Sequence, residues 1–477
     1  MARSSRQEHF FQLREKFPFF IFEKQEYSLT DRGLHISFTF NLADQYKFHP
    51  ALFIPRKACF LPDEEIADNL GLYVFNIGMI ELISYWKAAC PPRVIIMPTG
   101  MAPEQVAWWK KLYFHGLGEF FYLNSIDVNI DNFMSVEVAQ AGSFVAETHR
   151  GAPLQQMTNT IIIPIGGGKD SAVTLELLGR LPGSIPLIMN PRGASIGTIM
   201  TMGFSDDQFI EIQRSIDPQL LKLNDLGFLN GHTPFSAMLA FVTILAARLT
   251  GRNNIALSNE SSANEATIEG TDINHQYSKS FQFESDFRSY VHTWIGGDIN
   301  YFSFLRPLNE LQIAAMFARF TRYHRVFRSC NAGSKTNSWC GKCAKCLFTA
   351  IILSPFLSDE RLFEIFGKDL LADSALLPFF DQLTGDADEK PFECIGTIAD
   401  VNLALCEAIR RRGSTDLPYL LMHYISSASF SRYNRMDFNL ELSTLSDTHF
   451  VIPEFMHFLV EEMQKITGKS PNTSLIS

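Results

Sequence analysis

The sequence lacks any long uninterrupted apolar run. No stretch of its 477 residues approaches the length of a membrane span, and residues 1–8 lack the apolar region of a signal peptide. Long basic runs are also missing, with Arg410-Arg411-Arg412 a short exception, and the net charge is −10. Nucleic-acid surfaces need clustered lysine and arginine. We therefore expect a soluble, cytoplasmic protein with no membrane or nucleic-acid partner, and the sequence identifies no protein partner.

The chain has what a phosphate-binding turn requires. The apolar run 160–165 reads as a buried strand, and Gly166, Gly167, Gly168, Lys169, Asp170 and Ser171 follow it directly. Three glycines allow a tight turn that brings N–H groups against an anion at a helix N-terminus. A Walker loop is excluded, because its first glycine and final Ser or Thr positions hold Ile163 and Asp170.

This segment resembles the PP-loop of ATP pyrophosphatases, usually Ser-Gly-Gly-x-Asp-Ser, with Gly166 at the serine position. Enzymes with this loop cleave ATP between the α and β phosphates. The resemblance implies ATP and Mg²⁺ as ligands, with Lys169 and Ser171 on phosphate oxygens and Asp170 helping to hold magnesium. A Gly-rich turn without a ligand is the alternative.

The segment around this loop alternates between strand and helix patterns, which predicts a parallel sheet. Expected strands are 160–165, 185–190, 219–223 and 254–258, and expected helices are 171–181, 206–214 and 234–249. Ligands of open parallel sheets sit beyond the carboxyl ends of the strands. Polar residues predicted at those ends are Asn190, Arg192, Asn224, Asp225 and the run Ser258, Asn259, Glu260 through Glu265.

Four of the eight cysteines fall within seventeen residues: Cys330, Cys340, Cys343 and Cys346. Thiolates at these spacings converge on one ion, so we predict structural Zn²⁺. An iron–sulfur cluster or a redox dithiol would use the same residue types.

The length exceeds what one core supports, so several units are expected. We predict an α/β fold: an N-terminal α/β domain at 1–155, a parallel-sheet PP-loop domain with the cysteine knuckle at 156–355, and a helical C-terminal region at 356–477. In the first domain the pattern predicts a strand at 34–40, and helices at 77–89 and 102–114.

Over nearly its whole length the chain is similar to the MurL family of UDP-N-acetylmuramoyl-L-alanyl-L-glutamate epimerases. The similarity lies in the order and joint presence of short motifs: Gly78 with Glu81 and Tyr85-Trp86-Lys87-Ala88, Gly116 to Asn124, the loop 166–171, Gly231-His232-Thr233-Pro234, Asn274 to Lys279 in the polar segment 270–281, and Trp339 to Cys343.

This resemblance implies inversion of the terminal L-Glu of UDP-MurNAc-L-Ala-L-Glu at the expense of ATP, which yields AMP and diphosphate. Adenylation removes the carboxylate charge that opposes loss of the α-proton. Proton transfer then needs an acid and a base. Candidates are His232, His275, Tyr277 and Lys279, while Lys87, Arg192 and Arg306 are candidates for pairing with substrate carboxylate or phosphates.

Two other classes of function use the same features. An adenylating amide- or thio-transfer enzyme of the deazapurine-synthase type would share the PP-loop and the cysteine knuckle. A non-catalytic nucleotide-binding module would bind ATP without releasing pyrophosphate.

Overall fold

The computed structural model describes residues 3–139, 160–264, 274–387, 389–413, 416–469 and 471–473. Glu265 and residues 270–273, which belong to the polar segments named above, lie outside this set. Within the described ranges, no helix combines the length and the apolar character needed to cross a bilayer.

The strands are β1 (Phe19–Thr30), β2 (Gly33–Leu42), β3 (Tyr46–Phe48), β4 (Ala51–Pro55), β5 (Arg93–Ile96), β6 (Ser135–Val138), β7 (Ile161–Pro164), β8 (Ser184–Met189), β9 (Ile210–Ser215), β10 (Asn254–Leu257), β11 (Asn300–Ser303), β12 (Thr444–Leu445) and β13 (Asn472–Thr473).

The α-helices are α1 (Arg3–Lys16), α2 (Asp63–Ala67), α3 (Leu70–Trp86), α4 (Pro103–Gly116), α5 (Gly118–Leu123), α6 (Lys169–Leu178), α7 (Gly193–Met202), α8 (Pro218–Asp225), α9 (Phe235–Thr250), α10 (Phe281–Tyr290), α11 (Glu310–Arg319), α12 (Ala344–Leu353), α13 (Asp359–Phe366), α14 (Leu377–Thr384), α15 (Ile398–Arg412), α16 (Tyr419–Tyr424), α17 (Ala428–Tyr433), α18 (Phe438–Ser443) and α19 (Pro453–Thr467).

The chain forms two compact units. Unit 1 contains residues 1–162, 210–255 and 272–300, and unit 2 contains residues 163–209, 256–271 and 301–477. The predicted division into three consecutive domains stays a prediction.

Unit 1 is built on a mixed sheet in the order β9-β4-β2-β1-β5-β6, with β3 beside β2. The hairpin β1–β2 is antiparallel, whereas β5 and β6 continue the sheet in parallel. The apolar helix α3 packs on β1, β2 and α9. Gly78 makes this approach possible, because a Cβ at that position would lie 2.4 Å from the Phe22 ring. Glu81 is fully buried and forms a bidentate pair with Arg214 of β9, with both contacts at 2.7 Å.

Unit 2 contains β8, the C-terminal ends of β7 and β10, and most of β11. The N–H of Ile165 donates to the Leu187 carbonyl at 2.8 Å, and the N–H of Phe304 donates to the Leu257 carbonyl at 2.8 Å. Helices α6, α7 and α11–α19 complete the unit, and α12 packs on α11, α14 and α15. The α/β fold class and the helical C-terminal region are therefore confirmed.

Two predicted elements were wrong. The segment expected as a helix at 206–214 contains the start of strand β9. Its first and third residues are buried, and its second and fourth are more exposed. The segment expected as a strand at 219–223 belongs to α8, which starts at Pro218 and is capped by the Asp217 carboxylate. Asn224 and Asp225 consequently lie in the last turn of a helix and not at the end of a strand. Helix α7, which begins at Gly193, was not predicted.

Candidate functional site

The predicted phosphate loop connects β7 to α6 in unit 2. Gly167 has φ +88°, and a Cβ there would lie 2.6 Å from the Ser195 nitrogen, so only glycine fits. The Ser171 hydroxyl accepts from the Gly167 N–H at 3.1 Å and donates to the Gly168 carbonyl at 3.1 Å. The loop is therefore held in shape by its own serine, and it opens onto the N-terminus of α6, where an anion is favoured.

Gly166, which stands at the serine position of the PP-loop pattern, lies where a side chain would meet no steric obstacle. Gly166 is exposed, and a Cβ there would have no heavy atom within 4 Å.

We expect Gly166→Ser to change the free energy of unfolding by less than about 0.5 kcal/mol, as for unstrained surface changes. Gly167→Ser should cost at least about 2 kcal/mol through strain and overlap. Urea unfolding of both variants checks this, and equal stabilities would contradict the loop geometry.

Two carboxylates pair with the loop lysine, and two more, Glu260 and Asp400, lie near those carboxylates. Lys169 is 4% exposed and donates to Asp170 at 2.5 Å and to Glu310. Burial lowers the pKa of Lys169, but the charges of Asp170 and Glu310 outweigh burial and raise it. Burial raises the pKa of Glu310 to about 7 despite Lys169, and burial also raises the pKa of Asp400 to about 6. Burial raises the pKa of Glu260 as well, with Asp400 and Asp170 adding to the effect.

Sequence reasoning missed Glu310 and Asp400 in this carboxylate group. Glu310 is the first residue of α11, and Asp400 is in the first turn of α15. Both are buried, and an acidic residue in a helix's first turn is usually explained by its favourable interaction with the helix dipole. Burial distinguishes Glu310 and Asp400 from ordinary acidic residues at a helix N-terminus, and the sequence does not reveal burial.

The predicted strand-end residues differ in exposure. Asn190 follows β8 with φ +51°, and Arg192 is exposed and donates to Ser334 at 2.5 Å. After β10, the Asn259 amide donates to the Ser303 hydroxyl at 3.1 Å. The buried Ser258 hydroxyl has no hydrogen-bond partner among the described residues. The buried Glu260 carboxylate accepts from the Ser262 N–H and hydroxyl.

Arg306, a predicted candidate for binding substrate anions, is buried in unit 2 and donates hydrogen bonds to neighbouring residues of that unit. Its side chain is 1% exposed, donates to the Glu260 carbonyl at 2.5 Å and donates to the Ser303 hydroxyl at 3.3 Å. These contacts connect the segments after β10 and β11.

The four predicted cysteines converge in unit 2. The Sγ atoms are 3.8 Å apart for Cys330 and Cys343, 3.7 Å for Cys340 and Cys346, and 3.6 Å for Cys343 and Cys346. Four sulfurs about 2.3 Å from one tetrahedral ion would be about 3.8 Å apart, so the cluster has the dimensions of a metal site. The N–H groups of Gly333 and Lys342 donate to two of the sulfurs, as expected for thiolates.

A second cluster of chemically active groups lies in unit 1. Glu119 of α5 faces two imidazoles: His275 Nδ1 is hydrogen-bonded to Oε2 at 2.5 Å, and His232 Nδ1 lies 3.4 Å from the same oxygen. The two rings have centroids 4.6 Å apart. The carboxylate bonded at Nδ1 of His275 fixes the tautomer of that ring and leaves its Nε2 for proton transfer. The structure thus brings together His232 and His275, and it adds Glu119.

The segment that carries His232 is held in place by residues of the same motifs. The Asn124 amide donates to the Asn230 carbonyl at 3.1 Å, and the Lys87 ammonium donates to the Gly231 carbonyl. Gly116 allows Pro234 to approach, because a Cβ there would lie 2.8 Å from the proline Cγ. The short motifs at 85–88, 116–124 and 231–234 therefore meet around one imidazole.

His232 of this cluster and the nearby Lys87 both have altered pKa values. Burial, and then the charge of His275, lowers the pKa of His232 to about 4, although Glu119 opposes the change. Burial, and then the charge of Arg214, lowers the pKa of Lys87 from 10.5 to about 8. His232 is therefore neutral at pH 7, whereas Lys87 is mostly protonated and titrates close to neutrality. Perturbed groups of this kind concentrate at functional sites.

The Lys87 ammonium should lower the stability of the protein at neutral pH. Its folded-state pKa lies below the unfolded value, so the penalty is complete below about pH 8 and disappears as the pH rises towards 10.5. The pKa shift corresponds to a destabilisation of about 3 kcal/mol. The hydrogen bond to Gly231 offsets about 1 kcal/mol of this penalty. We expect Lys87→Met to be about 2 kcal/mol more stable than wild type at pH 7. Urea unfolding at pH 7 and pH 10 tests this, and a less stable variant at pH 7 would contradict it.

The residue types of the Glu119 cluster also suit a metal ion, and their ligand atoms lie within 4.8 Å of one another. Nitrogen and oxygen ligands of one tetrahedral zinc would be about 3.4 Å apart. The 2.5 Å separation between Glu119 and His275 is that of a charge-assisted hydrogen bond. We therefore interpret the cluster as a hydrogen-bonded group.

The other two predicted catalytic residues lie in a 3₁₀ turn at Tyr277–Lys279. The Tyr277 ring stacks on His115 at 5.0 Å, and burial raises its pKa, so it stays protonated at neutral pH. Lys279 is near enough for its charge to lower the pKa of His232.

Comparison with known proteins identifies relatives along most of the chain. Family models described as the MurL N-terminal domain and the MurL C-terminal domain match residues 12–304 and 326–430. A UDP-N-acetyl-alpha-D-muramoyl-L-alanyl-L-glutamate epimerase of Xanthomonas oryzae pv. oryzae is 36% identical over 328 residues, which is 67% of this chain and 70% of the relative. One of the same name from Salinispora tropica is 34% identical over 384 residues, 78% and 81% of the two chains. No solved structure matches the chain.

Proposed function

Because the chain belongs to the MurL epimerase family, we propose that it inverts the terminal L-Glu of UDP-MurNAc-L-Ala-L-Glu to D-Glu with consumption of ATP. The product would enter peptidoglycan precursor synthesis. A water-soluble nucleotide precursor fits a cytoplasmic protein that acts on a small molecule, with neither a nucleic acid nor a membrane as partner.

Unit 2 contains the groups for activation of the carboxylate. The glycine loop, Lys169 and Ser171 would hold the phosphates of ATP, and Asp170 would help to hold Mg²⁺. Asn190, Arg192, Ser258, Asn259 and Glu260 stand beyond the strand ends as further nucleotide contacts. An oxygen of the substrate's α-carboxylate attacks the α-phosphorus of ATP, and pyrophosphate leaves.

The observation that carries the proposal is the pair of histidines on Glu119 in unit 1. The acyl adenylate has no carboxylate charge, so electrons from the Cα–H bond can move into its carbonyl. The neutral imidazole of His232, whose Nδ1 faces the Glu119 carboxylate, is suited to accept the α-proton. Water then hydrolyses the adenylate and yields AMP. His275, Tyr277 and Lys279 remain candidates for the other proton-transfer and binding roles.

We assign Zn²⁺ to the four cysteines in a structural role. Four cysteine ligands are enough to fill the four positions of a tetrahedral ion, as is typical of closed structural sites. Metal analysis of the purified protein should give one zinc per chain. A second equivalent lost on Glu119→Gln would instead indicate a metal at the histidine pair.

The test is pyrophosphate release from ATP and Mg²⁺ by the purified chain with UDP-MurNAc-L-Ala-L-Glu or its D-Glu epimer, followed by chiral analysis of glutamate. We expect release that depends on the substrate and is accompanied by inversion. Release without inversion would indicate an adenylating ligase or transferase. ATP binding without release would leave a nucleotide-binding module.

A further inference from the structure

Lys87 carries a buried charge for which the described residues supply no carboxylate partner. The residue follows the last turn of α3, is 7% exposed and donates to the Gly231 carbonyl. Within the described ranges, no aspartate or glutamate forms an ion pair with it, and the nearby Arg214, which pairs with Glu81, is itself positive. Buried ammonium groups are unfavourable unless they are paired, so this position is costly for the fold.

A role in fixing the backbone does not account for that cost. The adjacent carbonyl, that of Asn230, is held by the neutral amide of Asn124 at 3.1 Å. A neutral donor would hold the Gly231 carbonyl equally well. The residue at position 87 is instead a titratable amine, which suits a group that gives up and regains a proton.

The location of Lys87 matches such a role. Its acceptor belongs to the residue directly before His232, and its charge is near enough to act on the His232 imidazole. The His232 side chain is 27% exposed, and its Nδ1 faces Glu119. Unit 1 therefore places a protonated amine and a neutral imidazole next to each other.

Inversion at a carbon requires that a proton leaves one face and another arrives at the opposite face. We propose, on the basis of the epimerase function above, that Lys87 is the second proton-transfer residue, opposite in role to His232. In the L-to-D direction, His232 Nε2 takes the α-proton and the Cα–H electrons move into the adenylate carbonyl. The Lys87 ammonium then donates a proton to Cα. His232 is left protonated and Lys87 neutral, and exchange with solvent restores both.

Deuterium exchange into the two epimers tests this assignment in D₂O with ATP and Mg²⁺. Wild type should exchange the α-hydrogen of both the L-Glu and the D-Glu substrate. Lys87→Met should lose inversion by at least about 10³-fold and still exchange the α-hydrogen of the L epimer alone. His232→Gln should show the reverse, with exchange of the D epimer alone. Lys87→Arg keeps the positive charge but cannot give up a proton. It should show the same exchange as Lys87→Met, which would exclude loss of the charge or misfolding as the cause.

Lys47→Met is the matched control, because Lys47 forms an exposed ion pair with Glu23 and should leave both exchanges unchanged. Pyrophosphate release should persist in all the variants. Inversion retained by Lys87→Met, or loss of exchange in both epimers while pyrophosphate release persists, would overturn the assignment. A wild type that does not invert glutamate would instead reject the epimerase function itself.

Discussion

Lys169→Met is expected to lower the rate of pyrophosphate release by about 10²–10³-fold. One preorganised donor to a developing phosphate charge contributes about this much, and Lys169 is the buried cation at the N-terminus of α6. The variant also leaves Glu310 without its cation, and because the pKa of this buried carboxyl is already raised it would take up a proton, so the cost in stability is at most about 3–5 kcal/mol. Loss of activity in this variant alone would therefore have two explanations.

A double variant separates these explanations. Lys169→Met with Glu310→Gln removes both charges of the pair, so it should recover much of the lost stability without recovering pyrophosphate release. Substrate-dependent release and urea unfolding, measured on the wild type, both single variants and the double variant, form a complete cycle. A double variant that is stable and releases pyrophosphate at the wild-type rate would exclude Lys169 from phosphate binding.

Loss of the cysteine site should have the largest effect on stability. Cys346 is fully buried in the first turn of α12, and its sulfur lies 3.6–3.7 Å from two others of the cluster. Cys346→Ser should release the metal and destabilise unit 2 by about 5 kcal/mol or more, since binding of a structural zinc contributes directly to folding. Zinc content and urea unfolding measure the two effects.

Cys406→Ser is the matched control for this change. Cys406 is a buried cysteine of α15 outside the cluster, and its sulfur lies 3.7 Å from the Tyr424 hydroxyl. We expect this variant to keep one zinc per chain and to lose about 1 kcal/mol. If Cys346→Ser also keeps the metal and unfolds at the same urea concentration as Cys406→Ser, the cysteine cluster is not a structural metal site.

The sequence predicted local features well. The phosphate loop is contiguous, so its glycines, its lysine and the strand and helix around it were visible as one pattern. The cysteine cluster spans seventeen residues and was visible for the same reason. Segment 206–214 was assigned to the wrong element, since the strand at Ile210–Ser215 is selected by its place in the sheet, where it pairs with β4.

Long-range pairings were beyond the sequence. Glu119 and His275 are 156 residues apart, and Lys169 and Glu310 are 141 residues apart. Motif order indicated that the segments of Glu119, His232 and His275 matter, but periodicity cannot reveal which side chains meet. Lys87 illustrates the same limit. Its importance follows from burial with no carboxylate partner among the described residues, and burial of a single lysine is a property of the folded chain.

The most direct test of the central claim follows an oxygen atom. UDP-MurNAc-L-Ala-L-Glu labelled with ¹⁸O in the glutamate α-carboxylate is incubated with the protein, ATP and Mg²⁺, and the products are analysed by mass spectrometry and chiral separation. An acyl adenylate hydrolysed at its carbonyl carbon leaves one substrate oxygen on phosphorus. We predict one ¹⁸O in AMP for each adenylate hydrolysed, together with D-Glu. Inversion with unlabelled AMP, or without AMP formation, would contradict the account.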